Sequence, residues 1–231
     1  MDKNQTFPVQ QILELACAAQ RVNGAYIKEA EAVYASNGMY MYSKQPNKIM
    51  MLVTLDSTIW TADPKDSPMP LKVLAEDVAL AEEIKNYFKR LLFAAIEGEN
   101  EFQTNINSIL SGETVKANQF GYVACLPSVH ARDKTQNKIK KVARTVEEGY
   151  LGLIGDNLKD LDCEILEVVK SKNFTGWNIC AIINNRMASW MSQVELKLGP
   201  CVIVKAKVKA QGKHWKHQTD ETRLNFVKAA Q

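Results

Sequence analysis

A change in hydrophobic periodicity near residue 149 is the feature that most constrains the fold of this chain. Before it, apolar residues recur at the three- and four-residue spacing of amphipathic helices. After it, the period moves toward the two-residue alternation of half-buried strands. Five strand-like segments follow one another with turn residues between them, at 162–170, 176–183, 186–194, 201–209 and 223–228.

Five short strands within about 80 residues are typical of a small β-barrel. The OB-fold is a five-stranded Greek-key barrel of this size, while an SH3-like barrel or a small sandwich would produce a similar pattern. The last segment also fits a capped C-terminal helix over 220–230. We predict an α+β fold, with a mostly helical N-terminal domain followed by a small five-stranded OB-like β-barrel.

The first half of the chain reads as helices interrupted by turns. Helical spacing covers 8–34, 71–96 and 102–110, with a break in the first of these at Asn23-Gly24. The segment 48–55 reads as a short strand, and 120–126 reads as a short apolar run that Pro127 ends.

Charge is divided unevenly along the chain. Residues 1–128 contain 11 Lys and Arg against 15 Asp and Glu, a net charge of −4, whereas residues 129–231 contain 18 against 11, a net charge of +7. Such asymmetry indicates a nucleic-acid or anionic partner. We therefore predict an acidic helical domain with a short strand at 1–128, a basic helix or linker at 129–148, and the barrel at 149–231.

Several protein classes are disfavoured by the residues present. The five cysteines are odd in number and form no CxxC pair, which argues against a disulfide framework or a structural zinc site and fits a reducing cytoplasm. No apolar run approaches the roughly 18 residues of a membrane span. The P-loop, Rossmann, HExxH and GxSxG motifs do not occur. We expect a cytoplasmic protein without enzymatic activity, metal or cofactor.

The strand 201–209 carries the clearest local signal. Alternation places Val202, Val204, Ala206, Val208 and Ala210 on one face, and Ile203, Lys205, Lys207 and Lys209 on the other. Alternate side chains on a strand repeat at roughly 6.6 to 6.8 Å, a spacing that can follow the phosphates of an extended single strand. A basic, aromatic turn comes next, at 212–217.

Lysine and arginine side chains that hold phosphates, together with aromatic rings that stack on bases, bind single strands without sequence preference. The candidate nucleic-acid-binding residues are Lys170, Lys172, Trp177, Arg186, Trp190, Lys205, Lys207, Lys209, Lys213, His214, Trp215, Lys216 and Arg223. A basic track could extend this surface through Arg132, Lys138, Lys140, Lys141 and Arg144.

Each of these features also has a structural interpretation. A lysine-rich strand is often only a solvated face or a protected sheet edge. Trp177 and Trp190 fit the barrel core better than a stacking surface, because tryptophan is highly buried on average. Trp215, between basic residues in a turn, is the best candidate for an exposed ring. His214 and His217 lack the third ligand that a metal site needs.

Two stretches, 201–215 and 219–228, combine a Val/Lys strand, a basic turn and a Thr-Arg-Leu-Asn-Phe-Val-Lys ending. With the layout of the whole chain, they resemble bacteriophage and mobile-element proteins that have a helical N-terminal part and a C-terminal OB-like domain. The resemblance implies single-stranded DNA binding in replication or recombination, and replication or recombination proteins as partners. The alternative is a protein-interaction or scaffold module whose basic face is merely solvated.

Overall fold

The structure is a computed structural model that describes residues 2–59, 66–94, 101–171, 175–214 and 217–230. The chain divides into two compact units, 1–132 and 133–231. The first is mostly helical with short strands, and the second is built on a closed β-barrel. The predicted α+β class, with a helical N-terminal part and a small OB-like barrel, is confirmed.

The helices of the first unit pack around one apolar core. The elements, in chain order, are β1 (Thr6–Pro8), α1 (Val9–Asn23), β2 (Glu31–Tyr34), β3 (Tyr40–Lys44), α2 (Asn47–Leu55), α3 (Ala75–Ala94), α4 (Glu101–Ser111), β4 (Thr114–Lys116) and the first part of α5 (Phe120–Ala143), whose residues from 133 onward belong to the second unit. Helix α1 is central, because its apolar residues at helical spacing, such as Ile12 and Ala16, are fully buried. It ends at Gly24, whose φ of 75° costs glycine no strain.

The predicted strand at 48–55 is wrong, because this segment forms helix α2. Met50, Met51 and Val53 are all buried in that helix. A short apolar run looks the same in a buried strand and in a buried helix, so periodicity alone could not separate the two. The short strands of the first unit lie elsewhere, in the antiparallel pairs β1–β4 and β2–β3.

The prediction that Pro127 ends an apolar run is also wrong, since Pro127 lies inside α5. Proline within a helix removes one hydrogen bond and costs about 3 kcal/mol or more. Around it, Phe120, Val123 and Leu126 are fully buried in the core. Their burial stabilises the helix by more than the proline costs, at roughly 1.5–3 kcal/mol for each large apolar side chain.

The second unit contains a five-stranded barrel whose strands were all predicted. The strands are β5 (Asn157–Lys170), β6 (Trp177–Ile183), β7 (Arg186–Ser192), β8 (Gly199–Lys213) and β9 (Asp220–Ala230). They close in the order β5-β6-β7-β9-β8, with β7 and β9 parallel and the other neighbours antiparallel. The residues at 223–228 therefore form a strand and not a helix.

The last turns of α5 cover part of the barrel's outer surface. Ile139 and Ala143 pack against Leu166 on β5, Cys180 on β6 and Met187 on β7. The apolar residues of this otherwise basic segment are thus buried against three strands. Less of the outer surface of β6 and β7 is left open to a ligand as a result.

A β-bulge corrects the predicted faces of β8. The pairing of β8 with β9 shifts register between Ile203 and Lys205, which indicates an extra residue in β8. Ile203 is 0% exposed and lies in the barrel core, whereas Val202 is 39% exposed. Simple alternation predicted the reverse, because it assumes an uninterrupted period of two.

The carboxylate of Asp77 anchors the first turn of α3. Its side chain is 3% exposed. It accepts hydrogen bonds from Nη2 of Arg21 at 2.8 Å and from the backbone N–H of Leu74 at 2.9 Å. Burial opposes ionisation, but these two donors overcome it and lower the pKa of Asp77.

We expect Asp77→Ala to lower the free energy of unfolding by about 1–3 kcal/mol, because it leaves charge-assisted donors without their acceptor. Glu76→Ala is the matched control: Glu76 Oε1 lies 3.4 Å from Arg21 Nε but is well exposed, so we expect a change below about 1 kcal/mol. Urea unfolding followed by circular dichroism measures both variants.

The effect of Asp77→Ala should also depend on pH. Because the folded-state pKa of Asp77 lies below its unfolded value, its ionised form stabilises the fold above the unfolded pKa, near about 4. That contribution is lost as the pH falls through the folded-state pKa. The difference between wild type and Asp77→Ala should therefore shrink in acid, and an equal difference at neutral and acidic pH would contradict this assignment.

Candidate nucleic-acid interface

Three lysines alternate with buried residues along the middle of β8. Lys205, Lys207 and Lys209 are exposed, while Ala206 and Val208 between them are buried in the barrel core. Lys205 and Lys207 lie on one face at a repeat of roughly 6.6 to 6.8 Å. Lys209 lies where the pairing of β8 with β9 shifts register again, between Val208 and Ala210. The second half of β8 therefore presents ammonium groups along the outside of the barrel.

Lys205 lies between two further lysines on the neighbouring strands. It is the pairing partner of Lys159 on β5 and of Lys228 on β9. All three side chains are exposed, and none forms an ion pair with a carboxylate among the residues that the structure describes. We call Lys159, Lys205 and Lys228 the lysine row. Like charges placed opposite one another destabilise a sheet, so an anion bound across this row would relieve the repulsion.

Two residues further along β8, one lysine lies between two asparagines on the neighbouring strands. Lys207 pairs with Asn157 on β5 and with Asn225 on β9. Amide side chains donate hydrogen bonds to phosphate oxygens without reading a base edge. The lysine row and these three residues together form a basic and polar strip across β5, β8 and β9.

A different environment surrounds Lys209 and Arg223. Both line a cavity of about 390 Å³ on the outside of the barrel, which Glu167 and Glu221 also line. Arg223 Nε lies 3.3 Å from Oε2 of the buried Glu221. Because the carboxylates offset the cations, this cavity attracts a polyanion less strongly than the lysine row does.

Two of the predicted cationic side chains form ion pairs with carboxylates. Lys213 Nζ lies 2.7 Å from Asp220, and this hydrogen bond raises the pKa of Lys213. Lys213 and the Gly149 N–H, which donates to Asp220 at 2.8 Å, lower the pKa of that carboxyl. Arg186 Nη2 lies 3.0 Å from Glu147. The positive charges of Lys213 and Arg186 are therefore already paired inside the second unit.

The aromatic predictions need correction where the ring is buried. Trp190 is only 6% exposed and packs in the barrel core, because its position on β7 faces inward. His214 is buried, with Nε2 3.8 Å from Glu221. Trp177, at the start of β6, is half-buried and packs against the core, opposite the exposed Lys170. Buried rings cannot stack on a base unless the barrel rearranges.

The sequence also predicted contacts at Lys172, Trp215 and Lys216. These residues lie outside the described residues. The predicted base-stacking role of Trp215 therefore stays a prediction.

The predicted basic track lies in and just after α5. All five side chains of this track are exposed: Arg132, Lys138, Lys140, Lys141 and Arg144. Lys138 Nζ lies 3.7 Å from Glu164, a solvent-exposed pair. Lys140, Lys141 and Arg144 have no carboxylate within ion-pair distance in the described parts of the chain.

Sequence reasoning missed three residues of this surface: Lys159, Lys228 and Phe226, whose ring is 76% exposed on β9. Lys159 and Lys228 join the lysine row only through strand register, which local composition does not reveal. Phe226 and Lys228 are two residues apart in the sequence. That spacing was the one available signal that they share a face.

The described residues give little support to metal binding, thiol reactivity or a membrane span. There, no group of three or more His, Cys, Asp or Glu side chains is placed to hold a metal ion. Burial raises the pKa of the thiols of Cys17 and Cys180 to about 12, so both stay protonated at neutral pH. None of the helices described has the length and apolar character that crossing a bilayer requires.

A scan against protein-family models found no match, and neither did searches of curated proteins and of solved structures. The resemblance to phage and mobile-element proteins therefore stays a prediction. The functional proposal therefore depends on the arrangement of the barrel's own residues.

Proposed function

We propose that the second unit binds single-stranded DNA, largely without sequence preference and without catalysing a reaction. The lysine row carries this proposal, because three ammonium groups lie on paired residues of adjacent strands and none forms an ion pair with a carboxylate of the residues that the structure describes. A protein that only needed a solvated surface would gain stability from opposite charges at these positions. A bound polyanion supplies those charges.

The form of the surface favours a single strand over a duplex. Lys205 and Lys207 follow the extended strand β8, whose side-chain repeat suits the phosphates of a stretched chain. OB-like barrels are a common scaffold for single-strand binding. Lysine contacts to phosphate position the chain but carry no sequence information, so weak sequence preference follows.

Binding across a salt series tests the proposal directly. With fluorescent oligonucleotides, we expect a linear fall of log affinity against log salt. Contacts from Lys159, Lys205, Lys207 and Lys228 predict a slope of about −2 to −3, at roughly −0.7 for each neutralised phosphate. Binding should be stronger to single strands than to duplex of the same length. Absence of binding at low salt, or preference for duplex, would contradict the proposal.

The wider role that we propose is in a phage-type replication or recombination system acting in the cytoplasm. The acidic first unit would then contact partner proteins. Its β2–β3 hairpin exposes Tyr34, Met39 and Met41, and exposed apolar side chains of this kind often mark protein contacts. The same hairpin favours the alternative, a protein-interaction module whose lysines are only solvated.

A further inference from the structure

A second bulge, in β9, lies beside the lysine row. Lys205 pairs with Lys228 and Lys207 pairs with Asn225, so two steps along β8 correspond to three along β9. The extra residue in β9 bends the strand locally. Phe226 lies in this bulge and has a positive φ of 51°.

The bulge turns the ring of Phe226 to the outside of the barrel. Leu224 is buried in the core and Val227 packs against it, whereas Phe226 is largely exposed. Lys228, two residues further along, is also exposed. Phe226 and Lys228 thus share the outer face. Lys228 lies opposite Lys205, and Phe226 lies at the level between Lys205 and Lys207 on the paired strand.

Neither packing nor backbone preference explains a phenylalanine at this position. Its ring adds little to the core, and a positive φ is a true outlier for a bulky residue. Glycine or asparagine would adopt the same backbone more easily. Strained residues kept at the surface cluster at binding sites, where the strain positions a group for a ligand.

We propose that Phe226 is the base-stacking residue of the interface, placed so that one base lies on its ring while neighbouring phosphates contact the lysine row. This inference rests on the proposed single-strand binding and assigns it a specific site. Stacking of bases on exposed rings beside cations is the usual means of sequence-tolerant binding. Phe226 lies on β9 next to β8, and neither of these strands contributes a residue to the cluster that α5 covers.

The test compares two ligands of equal length: an oligothymidylate of about 15 nucleotides and an oligonucleotide made only of abasic sites. Phe226→Ala should weaken binding of the oligothymidylate by about 5- to 150-fold. It should leave binding of the abasic ligand within about twofold, because that ligand keeps the phosphates but has no base to stack. Phe226→Trp should retain binding of both.

A second variant separates stacking from folding. Asparagine tolerates a positive φ, so Phe226→Asn should unfold at the same or a higher urea concentration than wild type, yet bind the oligothymidylate as weakly as Phe226→Ala. If binding falls only in step with stability, the stacking assignment is overturned.

Failure of this inference is distinguishable from failure of the proposed function. If wild type binds neither ligand at low salt, single-strand binding itself is wrong. If Lys205→Glu weakens both ligands while Phe226→Ala leaves the ratio of the two affinities unchanged, the function stands and the role of Phe226 is overturned.

Discussion

Replacing Lys205 and Lys207 together by glutamate is expected to weaken single-strand binding by about 100-fold or more at low salt. Each lysine is placed to make a charge-assisted contact to phosphate, at about 1.5 kcal/mol or more, and the two new carboxylates repel the backbone. The slope of log affinity against log salt should become shallower by about 1.4, because two phosphates are no longer neutralised. Fluorescence anisotropy across a salt series measures both quantities.

The control for this variant is Lys28→Glu with Lys89→Glu, which makes the same change in net charge with exposed lysines of the first unit. We expect it to leave binding unchanged, since neither lysine belongs to the barrel surface that carries the proposed contacts to phosphate. The barrel variant should also unfold no more easily than wild type, because Lys205→Glu places opposite charges beside Lys159 and Lys228. Equal losses in both variants would mean that net charge, and not this site, drives binding.

Ile203→Ala should lower the free energy of unfolding by about 2–5 kcal/mol, the range for truncating a fully buried isoleucine. Val202→Ala, one residue earlier, should cost less than about 1 kcal/mol because its side chain is partly in solvent. Uninterrupted alternation predicts the opposite order. Urea unfolding of the two variants therefore tests the β8 bulge directly, and a greater loss at Val202 would show that the bulge is misplaced.

Ile203 and Lys205 show which features of β8 the sequence predicts and which it does not. A period of two was enough to identify β8 and to place Lys205, Lys207 and Lys209 together on the outside. The bulge that moves Ile203 inward has no local signature, because it arises from pairing with β9. Helix α2 is a parallel case, in which burial on several sides hides the helical period.

The sequence predicts the positive charge of the site but not the arrangement of its residues. An excess of lysine after residue 129 is visible in the sequence, but the lysine row depends on which residues of β5 and β9 lie opposite Lys205. Aromatic residues were harder to assign. Trp190 was one of the candidate contacts although its residue type favoured the core, and it lies in the core. Phe226 was not a candidate and is exposed, because a bulge reverses its direction.

Closure of the barrel limits how copies of this protein could assemble. Each of the five strands has a hydrogen-bonded neighbour on both sides, but β7 and β9 pair only through 187–189 and 221–223. Among the described residues, the rest of β9 is therefore hydrogen-bonded to β8 alone and keeps one unpaired backbone edge. The β2–β3 hairpin is more open still, because it is a two-stranded sheet with both outer edges unpaired in the described structure. Copies that line up along one DNA strand would therefore meet through side chains of the barrel, or through strand addition at the hairpin or at the open edge of β9.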